Sequence, residues 1–126
     1  MDRQAAFDKA VTFLRAQGCR ATVKADPGTL ADTRCMLRTP DGRKCAIGAL
    51  IPDEEYHTKM DDNGGVRDML DAYPTLRSVL DIQNDEDVFF LSALQQAHDG
   101  AKDFKIDFEP AAKRVARDYN LNYKEA

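Results

Sequence analysis

The chain is 126 residues long, 43% hydrophobic and 32% charged, with a formal net charge of −4. That suffices for a single domain over 1–126 with its own core and is too little for two. No apolar run reaches membrane-span length, the opening MDRQAAFDKA is not a signal peptide, and no basic stripe alternates with aromatics, so neither a membrane protein nor a direct nucleic-acid binder is expected.

Asp2 to Gln17 is predicted as a helix, with Phe7, Ala10, Val11 and Leu14 on one face and Gly18 as its C-terminal stop. Cys19 to Lys24 alternates weakly and reads as a strand with Ala21 and Val23 inward. Asp26-Pro27-Gly28 is a loop.

A hairpin is predicted over about 34–48. Its turn is Thr39-Pro40-Asp41-Gly42-Arg43: Pro40 presets φ, Asp41 follows, and Gly42 takes a left-handed conformation as a one-residue bulge. Thr39 then faces Arg43, Leu37 faces Cys45, and Cys35 faces Ile47. One face collects Cys35, Leu37, Cys45 and Ile47; the other carries Met36, Arg38, Lys44 and Ala46. A two-residue turn on Asp41-Gly42 would bury much less, and burial sets register. In the bulged register Cys35 and Cys45 are diagonal neighbours about 7–8 Å apart, too far for the Cβ spacing of a disulfide. With Cys19 the cysteines number three, an odd count, and free thiols packed as small hydrophobes are expected, in a reducing cytoplasm.

Pro52 and the acidic Asp53, Glu54 and Glu55 suit a helix start, and a short helix is predicted to about Met60. Asp61-Asp62-Asn63-Gly64-Gly65 breaks it. Val66 to Ala72 is another helix, and Pro74 starts one more, with Leu76, Val79 and Leu80 inward. Asn84 or Asp85 caps a longer helix, Glu86 to His98, whose apolar face is Phe90, Leu91, Leu94 and Ala97. Phe104 to Phe108 alternates and reads as a short strand or extended loop. Pro110 begins a last helix carrying Val115, Ala116 and Tyr119. The fold class is α+β: a small antiparallel sheet built on the hairpin, with several helices packed on it. Because two strands alone are marginal, the segment near 19–24 or helix packing has to support it.

Charge is unevenly spread. Residues 1–52 balance at +4, residues 53–87 at −8 and residues 88–126 at zero. The acidic middle suits either a solvated face or an interaction face for a basic partner.

The run Cys35-Met-Leu-Arg-Thr-Pro-Asp-Gly-Arg-Lys-Cys45-Ala-Ile-Gly48, followed by Leu50-Ile-Pro-Asp-Glu-Glu-Tyr56 and later by Leu94-Gln95-Gln96-Ala97-His98-Asp99, resembles a family of small uncharacterised phage and prophage proteins. Their pattern is C-x-x-R-x-x-D-G-x-K-C-A-x-G-x-L-I-P-D-x-x-Y. Leu37 departs from it, standing where an aromatic is more usual. The resemblance carries over no functional residue. It implies a phage-related setting, where small proteins of this size often inhibit host enzymes or defence systems without catalysis.

Chemical constellations are weak by comparison. His98-Asp99 is similar to the pair of metal-dependent HD phosphohydrolases, with His57 and one of Asp103, Asp107 or Asp118 as nominal further ligands. The alternative is a helix end, where a cation is favoured. A zinc site from Cys19, Cys35, Cys45 and His57 lacks a close cysteine pair. A Cys45–His57 nucleophile pair needs an exposed thiol, which the register denies. Asp61 to Gly65 lacks the ligand alternation of a calcium loop, and Gly64-Gly65 has only Arg67 near it to help hold a phosphate. No metal or cofactor is expected.

The resemblance, taken with the acidic middle, therefore implies first a non-enzymatic inhibitor that binds a host bacterial protein, such as a nucleic-acid-handling antiviral defence complex (anti-CRISPR-like or similar). Its expected contact residues are Asp53, Glu54, Glu55, Tyr56, Asp61 and Asp62, with Tyr56 as an aromatic anchor among steering charges. The alternative is a small protein that binds or hydrolyses a nucleotide signal, with a pocket lined by Arg34, Arg38, Lys44 or Arg67 and His57 or His98 nearby. A homodimer would use apolar surface near Phe89, Phe104 and Phe108.

Overall fold

The computed structural model describes residues 1–30, 33–62 and 64–125. The elements in order are helix α1 (Arg3–Gln17), strands β1 (Thr22–Lys24) and β2 (Thr33–Cys35), helix α2 (Ala46–Leu50), two 3-10 turns (Asp53–Glu55 and Thr58–Asp62), and helices α3 (Val66–Ala72), α4 (Leu76–Val79), α5 (Asp85–Asp99) and α6 (Phe104–Asp118). This is a small α+β fold. No helix among the described residues is long and apolar enough to cross a membrane.

Helix α5 is the centre of the core, touching α1, α2, α3 and α6. Phe90, Leu91, Leu94 and Ala97 are buried on it as expected, beside Val88 and His98. Asn84 caps it by accepting from the Asp87 amide at 2.9 Å. Helix α1 buries Phe7, Ala10, Val11 and Leu14 and stops at Gly18, whose φ of 74° is left-handed.

The sheet is smaller than the core and lies in a different place from the one expected. Its two strands are β1 and β2, antiparallel, with Thr22 opposite Cys35 and Lys24 opposite Thr33. The segment near 19–24 thus supplies a partner strand, continued by the Met36 amide on the Ala21 carbonyl at 2.8 Å.

The predicted hairpin keeps its register but not its length. Arg38 bridges Lys44, the Cys45 amide reaches the Leu37 carbonyl at 3.0 Å, and the Thr39 amide reaches the Arg43 carbonyl at 2.9 Å. Gly42 has a φ of 90°, as the bulge requires. Beyond Cys45 the return arm coils into α2, so Ala46, expected to face outward, is fully buried. Coiling lets Ala46, Ile47 and Leu50 bury their apolar side chains against α1 and α5, whereas a two-stranded ladder by itself is marginal.

Two other boundaries moved. Residues 104–108 are the first turn of α6, not a strand, and Pro110 lies inside that helix. Phe104 and Phe108, four residues apart, stack at 4.7 Å between ring centres, a contact only helical spacing provides. The helix expected from Pro52 to Met60 is instead two 3-10 turns separated by Tyr56 and His57.

Candidate functional site

The segment from Arg38 to Asp61 is held by one compact network. Arg38 is at its centre, with its side chain only 14% exposed. It donates to Asp53 Oδ1 at 2.7 Å, to the Ile51 carbonyl at 2.5 Å and to the Gly48 carbonyl at 3.3 Å. Its guanidinium lies 4.7 Å from the centre of the Tyr56 ring, a cation–π contact worth about 0.5–2 kcal/mol. Its Nε is buried without a hydrogen-bond partner among the described residues, which costs free energy. Lys44 adds a second cation to Asp53 at 3.5 Å. The Arg38 hydrogen bond, then the nearby Lys44 charge, hold the Asp53 carboxyl below its ordinary range.

Tyr56 and Asp61 close the network. The Tyr56 hydroxyl donates to Asp61 Oδ2, and Asp61 Oδ1 accepts from the Leu37 amide at 2.5 Å. Burial first, then the Asp61 carboxylate, push the Tyr56 hydroxyl well above the usual tyrosine range. These two residues, expected as contacts for a partner, therefore serve first as internal pins. Glu54 and Glu55 on this segment and Asp62 next to it are exposed, and their side chains make no hydrogen bond or ion pair among the described residues.

Several positions of the hairpin run serve as scaffold. Cys45 caps α2, its sulfur accepting from the Gly48 amide at 3.3 Å. A Cβ on Gly48 would sit 1.9 Å from the Leu37 carbonyl oxygen, so only glycine fits. The Ile47 amide at the same helix start is bound by Gln95 of α5 at 3.1 Å. Gln17 of α1 grips the hairpin from the other side, accepting from the Lys44 amide and donating to the Lys44 carbonyl, both at 2.8 Å. Neither glutamine is marked by sequence spacing, since the contacts span 48 and 27 residues.

Cys35, His98 and Asp99 gather beside a cavity of about 80 Å3 that Cys35, Asp61, Gln95 and Asp99 help to line. Their ligand atoms lie within 4.8 Å of one another. The hydrogen bonds argue against a metal there. His98 Nε2 accepts from the buried Ala21 amide at 2.9 Å, which leaves the ring proton on Nδ1, 2.7 Å from Asp99 Oδ1. Both ring nitrogens are thereby used. Asp99 Oδ1 also takes the Gln95 amide at 2.8 Å. His98-Asp99 fastens α5 to the residue just before β1 and holds no catalytic pair with His57, which is exposed and packs on Tyr73.

All three cysteines are free. Burial, reinforced by the Asp99 carboxylate, pushes the Cys35 thiol up to about 11, and burial pushes Cys45 up to about 12. Both are thiols rather than thiolates at neutral pH, and neither is activated for attack. The cations expected to form a nucleotide pocket do not line one cleft: Arg38 and Lys44 are committed to Asp53, and Arg67 of α3 lies 5.9 Å from the Phe89 ring centre. Of the expected dimer residues, Phe108 is buried, Phe104 is half-buried against it, and only Phe89 is exposed. Compared with family models, curated proteins and solved structures, the chain finds no match in any of the three.

Proposed function

We propose that this chain is a non-enzymatic binding protein, encoded by a phage or prophage, that docks on a basic surface of a host bacterial protein in the host cytoplasm. The partner that fits best is the nucleic-acid groove of an antiviral defence complex, because a groove built for phosphates attracts carboxylates by the same charge. The observation that carries the reading is the pinned acidic display. Glu54, Glu55 and Asp62 project without partners from a segment that Arg38, Asp53, Tyr56 and Asp61 hold rigid. A preformed display loses little freedom on binding, and its charges steer encounter. The resemblance of the hairpin run to phage proteins supports the setting.

The test is capture of partners from bacterial lysate by the tagged chain, read by mass spectrometry. One stoichiometric host protein is expected with the parent and none with Glu54→Lys/Glu55→Lys/Asp62→Lys, whose thermal melt should match the parent's because all three side chains are exposed. Equal capture by the triple variant, or no protein captured by the parent, would overturn the reading.

A further inference from the structure

On residues apart from the acidic display, an open cleft of about 510 Å3 lies between the start of β1, the hairpin turn and the beginning of α6. Small-molecule sites typically span about 300–1,000 Å3. Arg20, Arg43, Lys102 and Lys105 line it, against the single carboxylate of Asp103. Four cations against one anion leave +3. Asp41, which pairs with Arg43 at 3.1 Å, brings this to about +2. The excess is local, since the chain as a whole carries −4.

The cations differ in how far they are committed. Arg43 is fixed as a wall: Nε bonds Asp41, Nη1 the Arg20 carbonyl at 3.0 Å and Nη2 the Thr22 carbonyl at 2.8 Å. Arg20 gives Nη1 to the Asp99 carbonyl at 2.9 Å and has no carboxylate partner among the described residues. Lys102 and Lys105 are exposed and unpaired among them. Two ammonium groups and part of a guanidinium thus face the cleft with their donors uncommitted. The Asp103 side chain makes no capping bond to α6, and Asp107 in the first turn accepts from the Asp103 amide at 3.0 Å, so the attraction for an anion comes from the side-chain cations and not from that helix start.

Phe104 adds a second chemistry. It lines the cleft, and its ring stacks on buried Phe108 at an angle of 10°. The ring is held in place from behind. A planar base stacking on such a ring gains about 1–3 kcal/mol. We infer that this cleft binds a nucleoside phosphate, with the phosphates at Arg20, Lys102 and Lys105 and the base on Phe104. The pattern was invisible in the sequence because its cations come from segments about 20, 43 and 102–105.

Calorimetric titration of the intact chain with ATP, pyrophosphate and adenosine tests this. ATP should bind more tightly than pyrophosphate, and adenosine most weakly. Lys102→Glu/Lys105→Glu, which alters only exposed side chains, should weaken ATP by about tenfold or more. Phe104→Leu should bring ATP down to the pyrophosphate affinity while leaving pyrophosphate unchanged. No ATP binding at millimolar concentration, equal affinity for ATP and pyrophosphate in the parent, or ATP binding indifferent to the double charge reversal would each overturn the inference. So would a single-stranded oligonucleotide that displaces ATP and binds more tightly, since it would identify phosphodiester backbone as the ligand.

Discussion

Gly48 governs how closely α2 approaches the outgoing arm of the hairpin, because a methyl group there would collide with backbone rather than with a movable side chain. Gly48→Ala should cost about 3 kcal/mol, the upper range for overpacking a filled site, measured as a loss of urea stability. The cysteines make a second prediction at this scale. Cys45 is wholly buried and Cys35 half-buried, both with raised thiols, so iodoacetamide at pH 8 should label Cys35 slowly and Cys45 only after unfolding. Rapid labelling of Cys45 in the native protein, read by peptide mass spectrometry, would contradict its role as a buried cap. Arg38 shows what residue type alone leaves unread. As an exposed cation it could serve any ligand; only the fold reveals that its two terminal nitrogens are spent on Asp53 and two carbonyls.

Among the elements, local signals were legible where they sat at the ends of long helices. Gly18 and Asn84 mark α1 and α5 as capping chemistry requires. The start of α6 is hidden in the sequence because Phe104 to Phe108 alternates like a strand and Pro110 suits a first helical turn. The Phe104–Phe108 stack and burial of Phe108 outweigh the proline, whose cost is one lost bond to the carbonyl of Ile106. Ile106 and Pro110 are both exposed, so water can reach that carbonyl. Pro110→Ala should therefore stabilise the protein by about 1 kcal/mol, seen as a higher melting temperature, since it restores the bond without disturbing the core. An unchanged or lower melting temperature would mean that the proline's restriction of the unfolded chain matters more.

Across the whole molecule, stability in acid follows from carboxylates tied between distant parts of the chain. Burial alone would raise Asp87, but the Gln83 amide, Arg3 and the N-terminal ammonium outweigh it and hold the carboxyl below its ordinary range. Glu109 is likewise held low, first by the Arg15 hydrogen bond, against a smaller opposing effect of burial. With folded values below unfolded ones, the unfolded chain binds more protons as the pH drops, so the stabilisation is present above the unfolded values near pH 4 and is lost as pH falls through the folded ones. Urea midpoints should be flat from about pH 7 to pH 5 and fall progressively below about pH 4. Asp87→Asn should cost about 2 kcal/mol at pH 7 and flatten that acid limb. A parental midpoint unchanged down to about pH 2 would exclude this origin of stability.

The sequence by itself determined the class of the fold, the caps of the long helices, the buried faces of α1 and α5, and the register of the hairpin turn. Each of these rests on interactions between residues a few positions apart, or on a periodicity that one segment displays alone. Tertiary structure decided that the return arm becomes α2, that β1 supplies the second strand, that Tyr56 and Asp61 are pins, and which cations share a cleft. Those outcomes depend on which surfaces meet, and a contact such as Ala21 with His98, 77 residues apart, leaves no trace in local spacing.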